Sequence, residues 1–168
     1  MYKTSIFFAV VLSACSQNSH IIDDRVLMVT PLYDTLLNFK TNLMAVAMTS
    51  DAEIRPLISQ ETVPALVFLV SEEGLNPYLT SKNLTRDQFR ASSGFQQFLK
   101  SDIMTQNFIG SGDYTSAGGS TWVIESNSRL EPAFVNKIAV RNCYSIGFSE
   151  KARQKGLLCV VDKPIADL

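Results

Sequence analysis

One histidine, His20, is all the imidazole in this 168-residue chain. A serine or cysteine relay would have to use that one residue, and histidine-based zinc sites need several, so neither is expected. His20 itself sits in the polar stretch S-Q-N-S-H and is expected to be solvated surface. The chain has three cysteines and no C-x-x-C spacing, which removes the usual redox pair. Charged residues make up 18% with a formal net charge of −1, and without a basic excess there is no electrostatic case for nucleic acid. Long apolar runs are missing too. Residues 6–12, I-F-F-A-V-V-L, would rise about 10 Å as a helix against a hydrocarbon core of about 30 Å, so the segment is no conventional membrane span. No G-x-S-x-G elbow, P-loop, H-E-x-x-H or aspartate-rich calcium loop occurs, and no internal repeat or heptad. Catalytic residues, metal ligands and cofactors are therefore not expected.

What is present starts with an address. Lys3, the apolar residues 6–12 and the small residues that follow have the order of an export signal: positive end, short apolar middle, small-residue exit. Leu12-Ser13-Ala14-Cys15 resembles the lipobox of bacterial lipoproteins, in which the cysteine becomes the new N-terminus and carries acyl chains. The resemblance implies a signal peptide over residues 1–14 and a lipidation site at Cys15, with each buried CH₂ contributing about 0.8 kcal/mol to membrane attachment. Ser16 after it resembles an outer-membrane sorting signal. Residues 15–22 then form a short tether, and residues 23–168 a domain held close to the membrane. Removing the first 14 of 168 residues leaves 154, with a net charge near −2 once Lys3 is gone. A domain of that length buries roughly 68–70% of its unfolded surface and needs no metal to fold.

Apolar spacing then assigns the elements. From Thr30, a cap candidate and Pro31 precede Leu32, Leu36, Phe39, Leu43 and Val46, which is helical spacing. Ser50-Asp51-Ala52-Glu53 has the form of a capping box, opening a second helix near Pro56. Residues 64–70, P-A-L-V-F-L-V, are apolar without interruption and predict a buried strand. Ser71 caps a helix with Glu72 and Glu73 in its first turn, and Thr85-x-x-Gln88 and Ser93-x-x-Gln96 form two more boxes ahead of Phe89, Phe95, Phe98 and Leu99. Residues 110–120 have loop chemistry, and strands are expected over 121–125, 133–143 and 157–165. Helices first and strands later make the class α+β.

Cys143 and Cys159 are 16 positions apart. A hairpin centred near Lys151 would set them opposite each other, as a disulfide in an oxidising compartment; buried free thiols and a redox or metal pair are the alternatives. Three other features lean toward structure. Gly110-Ser111-Gly112-Asp113 lacks the strand and helix of a phosphate cradle and is expected to be a turn. Glu72 and Glu73 are helix neighbours about 100° apart, unable to flank one bond. Trp122, followed by apolar Val123 and Ile124, is expected in the sheet core rather than on a ligand platform.

The order of several motifs resembles the fasciclin domain. Residues 156–163, G-L-L-C-V-V-D-K, are similar to the family's N-G-V-I-H-V-I-D-K strand, with Lys155 in the place of Asn and Cys159 in that of His. Residues 135–140, V-N-K-I-A-V, resemble V-N-G-A-x-V, and residues 68–75, F-L-V-S-E-E-G-L, resemble F-A-P-T-N-E-A-F without its proline. Where the family has a Tyr-His pair, this chain has Ser101-Asp102. The resemblance covers residues 27–166 and implies a single fasciclin-like domain, an α+β wedge with helices packed on a twisted antiparallel sheet. It further implies a non-catalytic adhesion or binding module on the outside of the membrane, with a protein or surface polymer as partner. The alternative it implies is a carrier or sensor holding a small apolar ligand between helices and sheet. Residues 144–155 are longer than the family's connection there, and two readings stand: a solvated hairpin end whose Phe148 tucks against the core, or an exposed loop in which Tyr144, Phe148, Lys151, Arg153 and Lys155 contact an acidic partner or lipid headgroups.

Overall fold

Five consecutive apolar residues give a strand no polar face to turn toward water, so Leu-Val-Phe-Leu-Val must be covered on both sides. A computed structural model, which describes residues 32–58, 66–127, 131–149 and 154–167, places them in β1 (Leu66–Val70), buried at every position. Helices α1 (Leu32–Leu37), α2 (Leu43–Ser50) and α3 (Arg55–Ile58) precede it. Helices α4 (Glu72–Ser81), α5 (Arg86–Arg90) and α6 (Phe95–Ser101) follow. The remaining strands are β2 (Ile103–Met104), β3 (Gly112–Thr115), β4 (Thr121–Ser126), β5 (Pro132–Val135), β6 (Ile138–Ser149) and β7 (Gln154–Val161). Together the seven described strands form one sheet in the order β2-β1-β7-β6-β5-β4-β3.

The class is α+β, but the sheet is mixed rather than antiparallel. β1 lies parallel to β7, from Leu66 beside Leu157 to Val70 beside Val161, while every other neighbouring pair is antiparallel. Parallel neighbours need a long connection, and the three helices and the strand meander between β1 and β7 supply it.

Several local elements differ from expectation, each for a local reason. The helical spacing from Thr30 to Met48 is broken in two, because the Asn42 side chain accepts the amides of Met44 and Ala45, both at 3.0 Å, and starts α2 afresh. Asp51, not Ser50, turns the chain into α3 by accepting the Glu53 and Ile54 amides, while the Ser50 hydroxyl donates back to the Val46 carbonyl at 2.8 Å. The Thr85–Gln88 capping box forms in both directions. No such box forms at Ser93: α6 starts from Gly94 without a side-chain cap. The strand expected over 133–143 is two strands, since Asn136 and Lys137 both adopt positive φ (48° and 66°), the conformation of a two-residue hairpin turn. Residues 112–115 in the expected 110–120 loop are strand β3, paired with β4. At the C-terminal end, β7 stops at Val161 and residues 162–165 are not strand.

The sheet has two regimes of burial. β1 and the Leu157–Cys159 part of β7 are buried throughout, whereas β4 alternates, with Trp122 and Ile124 inside and Thr121, Val123 and Glu125 outside. Alternation of that kind marks a sheet with one face toward water. Trp122 belongs to the core: its ring meets Phe68 edge to face at 5.0 Å, and its Nε1 donates to the Ser101 carbonyl at 3.1 Å. Phe89 meets Phe95 at 4.9 Å and Phe98 at 5.2 Å, forming the aromatic inner face of the small helices.

Cys143 and Cys159 stand opposite each other on β6 and β7 and are bonded, with Cα atoms 4.1 Å apart. The bridge closes a loop of 16 positions and contributes about 3 kcal/mol, chiefly by restricting the unfolded chain. Replacing both cysteines by serine should therefore lower unfolding stability by about 3 kcal/mol. Urea denaturation of the oxidised parent, the reduced parent and the double variant measures it; equal midpoints in all three would contradict it.

Candidate functional site

Because β1 and β7 run in the same direction, they end at the same edge of the sheet. One strand delivers Ser71 and helix α4 there, and the other delivers residues 162–167. The Ser71 amide donates to the Val161 carbonyl at 2.8 Å, and its hydroxyl donates to Asp162 Oδ1 at 3.0 Å while accepting the Gly74 amide at 3.1 Å. From β6, Arg141 Nε donates to Asp162 Oδ2 at 2.5 Å, and its Nη1 lies 3.8 Å from Glu73. Gly74 permits the closeness of helix and tail, since a Cβ there would fall on the Asp162 carbonyl. One turn further on, Tyr78 donates its hydroxyl to Asp167 Oδ1 at 2.9 Å, and Lys82 Nζ donates to Asp167 Oδ2 at 2.7 Å.

The C-terminal segment is thus tied to α4 at Asp162 and again at Asp167. Between the ties lies a groove of about 510 Å³, walled by Glu73, Gly74, Pro77, Tyr78 and Ser81 on the helix and by residues 162–167 opposite. This lies within the range of roughly 300–1,000 Å³ typical of small-molecule sites. Its apolar walls are Pro77, the Tyr78 ring, Pro164, Ile165 and Ala166; the Tyr78 ring also stacks on Phe98 at 6.0 Å, joining the groove to the aromatic core. Pro77 stands inside α4 and has no amide to offer the Glu73 carbonyl, an irregularity located in the groove wall. The polar groups are largely engaged with one another: Asp162 with Ser71 and Arg141, Asp167 with Tyr78 and Lys82, and the Ser81 hydroxyl with the Tyr78 carbonyl at 2.7 Å.

The residues singled out from sequence fall elsewhere. Cys15 lies outside the described residues, as do Lys151 and Arg153. The expected contact loop is largely strand. β6 and β7 stay paired as far as Ser149 and Gln154, because Tyr144, Ile146 and Phe148 alternate with polar or small neighbours as strand residues do. Tyr144 is half-buried and meets Phe39 edge to face at 5.8 Å, so it packs rather than projects. Phe148 and Lys155 are cross-strand partners in that ladder. Glu72 and Glu73 diverge as neighbours on a helix should. Glu72 accepts the Leu43 amide at 2.6 Å and pairs with Arg86, while Glu73 faces the groove. Among the described residues, no group of three or more His, Cys, Asp or Glu side chains is placed to hold a metal, and no helix is long and apolar enough to cross a membrane.

Asp102, in the Ser101-Asp102 pair, is the feature the sequence does not reveal. It is 0% exposed, and neither carboxylate oxygen has a partner among the described residues, although its backbone carbonyl accepts the Phe68 amide at 2.9 Å. Burial raises its pKa well above the usual carboxylate range. At Asp51 burial acts in the same upward direction, but the amides of Ile54 and Glu53, the Gln96 side chain and the Lys100 charge together outweigh it and the pKa falls.

Two measurements follow from this geometry. Gly74→Ala should destabilise the chain by about 2 kcal/mol or more, since backbone rather than a flexible side chain occupies the space; an unchanged urea midpoint would refute the close approach. For Asp102 the folded-state pKa is the higher one, so the stability of the protonated form is present below the unfolded value and is lost as pH rises through the folded value. Asp102→Asn should remove a slope of about 1.4 kcal/mol per pH unit in that window, starting near pH 4. Urea titrations from pH 4 upward test it, and parallel curves for parent and variant would exclude a buried neutral acid.

No family model matches the chain, and no curated protein matches it.

Proposed function

We propose that this chain is a lipid-anchored protein of a bacterial cell envelope, in which Cys15 holds one fasciclin-like domain at the membrane to bind a protein or surface polymer without catalysis. The observation that carries the export half of this reading is the Cys143–Cys159 disulfide. Such bonds persist in oxidising compartments, and this one agrees with the export signal and lipobox-like residues that precede it. The non-catalytic half is supported by the groove at the end of β1 and β7, whose hydroxyls and carboxylates are engaged in internal bonds. A catalytic site instead keeps an acid, base or nucleophile directed at substrate.

A second reading, a carrier or sensor for a small apolar ligand, is favoured by the volume and apolar walls of that same groove. Its cavity then lies between α4 and the C-terminal segment rather than between helices and sheet.

The anchor is tested by growing cells that express the full chain with a radioactive fatty acid. Label on the parent chain and none on Cys15→Ala is the expected outcome, together with a mature N-terminus at Cys15 by mass spectrometry. An unlabelled parent, or one that keeps its first 14 residues, overturns the reading.

A further inference from the structure

We infer that the groove between α4 and residues 162–167 is a binding site for a small, electrically neutral, predominantly apolar molecule, held under the C-terminal segment by the Asp167 latch. The inference deepens the carrier reading by naming the site and its ligand class, and it makes no use of the anchor.

Three observations carry it. The first is size and wall chemistry: about 510 Å³ bounded by Pro77, the Tyr78 ring, Pro164, Ile165 and Ala166. Rigid proline rings and one aromatic face offer contact area at low cost in side-chain entropy. The second is charge. Glu73 and Asp162 pair with Arg141 and Asp167 with Lys82, and with the wall residue Lys163 counted the three acids face three cations, so the groove has no net excess of one sign to select an ion. The third is the engagement of its polar atoms. Both Asp162 oxygens and both Asp167 oxygens already accept hydrogen bonds, and the Ser81 hydroxyl donates to a carbonyl. A polar ligand would have to share oxygens that are already bonded, whereas an apolar one gains burial without involving them.

The latch gives the site a way in. Asp162 is tied to buried Ser71, while Asp167, its side chain 69% exposed, is tied to half-buried Tyr78 and to Lys82, and an exposed ion pair such as Lys82–Asp167 contributes only about 0–1 kcal/mol. The Asp167 end is the more exposed of the two ties, and the proposed entrance lies there.

The test uses the full chain carrying Cys15→Ala, titrated with the neutral fluorophore N-phenyl-1-naphthylamine and with 8-anilino-1-naphthalenesulfonate, which has the same ring framework and a permanent negative charge. One saturable site for the neutral compound is expected, at least tenfold tighter than for the sulfonate. Backbone amide shifts on binding should concentrate in residues 73–82 and 162–167. Ser81→Trp and Ala166→Trp fill the groove from opposite walls, and each should weaken the neutral compound at least tenfold while keeping the parent's circular dichroism. Val123→Ser combined with Phe134→Ser removes the exposed apolar residues of the open sheet face and should leave binding unchanged. Absence of saturable binding, equal affinity for the sulfonate, shifts centred on β4 and β5, or undiminished binding in both tryptophan variants would each overturn the proposal. Because fatty-acid labelling reports the anchor separately, a labelled chain with no groove binding would sink this inference and leave the envelope assignment standing.

Discussion

The parallel union of β1 with β7 is the constraint from which most of this structure follows. It joins residues on either side of the helices and the meander, and it is fastened at one end by polar side chains. Ser71 holds Val161 with its amide and Asp162 with its hydroxyl across 91 positions of sequence. Asn42 adds a third element there by donating to the Val70 carbonyl at 2.7 Å while capping α2. The ends of two buried strands and the starts of two helices therefore meet in one small volume. Backbone groups leaving a buried strand must find partners at once, and these short side chains supply them. The Cys143–Cys159 bond secures the other flank of β7, so this strand is held by β1 on one side and covalently to β6 on the other.

That arrangement divides the sheet. Over β1 and the Leu157–Cys159 part of β7 both faces are covered, and the residues are apolar regardless of position. Around β3, β4 and β5 one face meets water, and Val123 and Phe134 stand 51% and 41% exposed among polar neighbours. Asp102 is the exception within the covered half. Ending α6 where the chain turns into β2, its backbone is fully used while its carboxylate has no partner among the described residues. Burial raises the pKa of such an acid by disfavouring its charged form, at a cost to stability that grows with pH.

The candidate site lies where the union of the two strands ends. Its Asp162 and Asp167 carboxylates are bonded to Ser71 and Tyr78 and to the cations Arg141 and Lys82 beside them. What it offers is shape and apolar area under a segment fastened firmly at one end and lightly at the other. A binding role is what such a site supports best, and export to an oxidising space is what the disulfide supports best. The two lines of argument are independent of each other.

Much of the local structure was legible from residue types alone: the covered strand at Leu66–Val70, the caps at Ser71 and Thr85, the core position of Trp122, and the opposition of Cys143 and Cys159. Those features depend on periodicity and on hydrogen bonds between residues a few positions apart, which the order of residues contains. The chain's charge balance and its lone histidine likewise bounded its chemistry without any coordinates. Strand direction was not legible, since an apolar run is equally compatible with a parallel or an antiparallel neighbour. The packing of Tyr144 on Phe39 and the solitary carboxylate of Asp102 were hidden for the same reason: each is decided by what another part of the chain places beside it. The groove belongs wholly to this second kind. Gly74, Tyr78 and Lys82 carry no signal until the far end of the chain returns to lie against them, and only three-dimensional closure could turn a proline-broken helix and a short tail into a site.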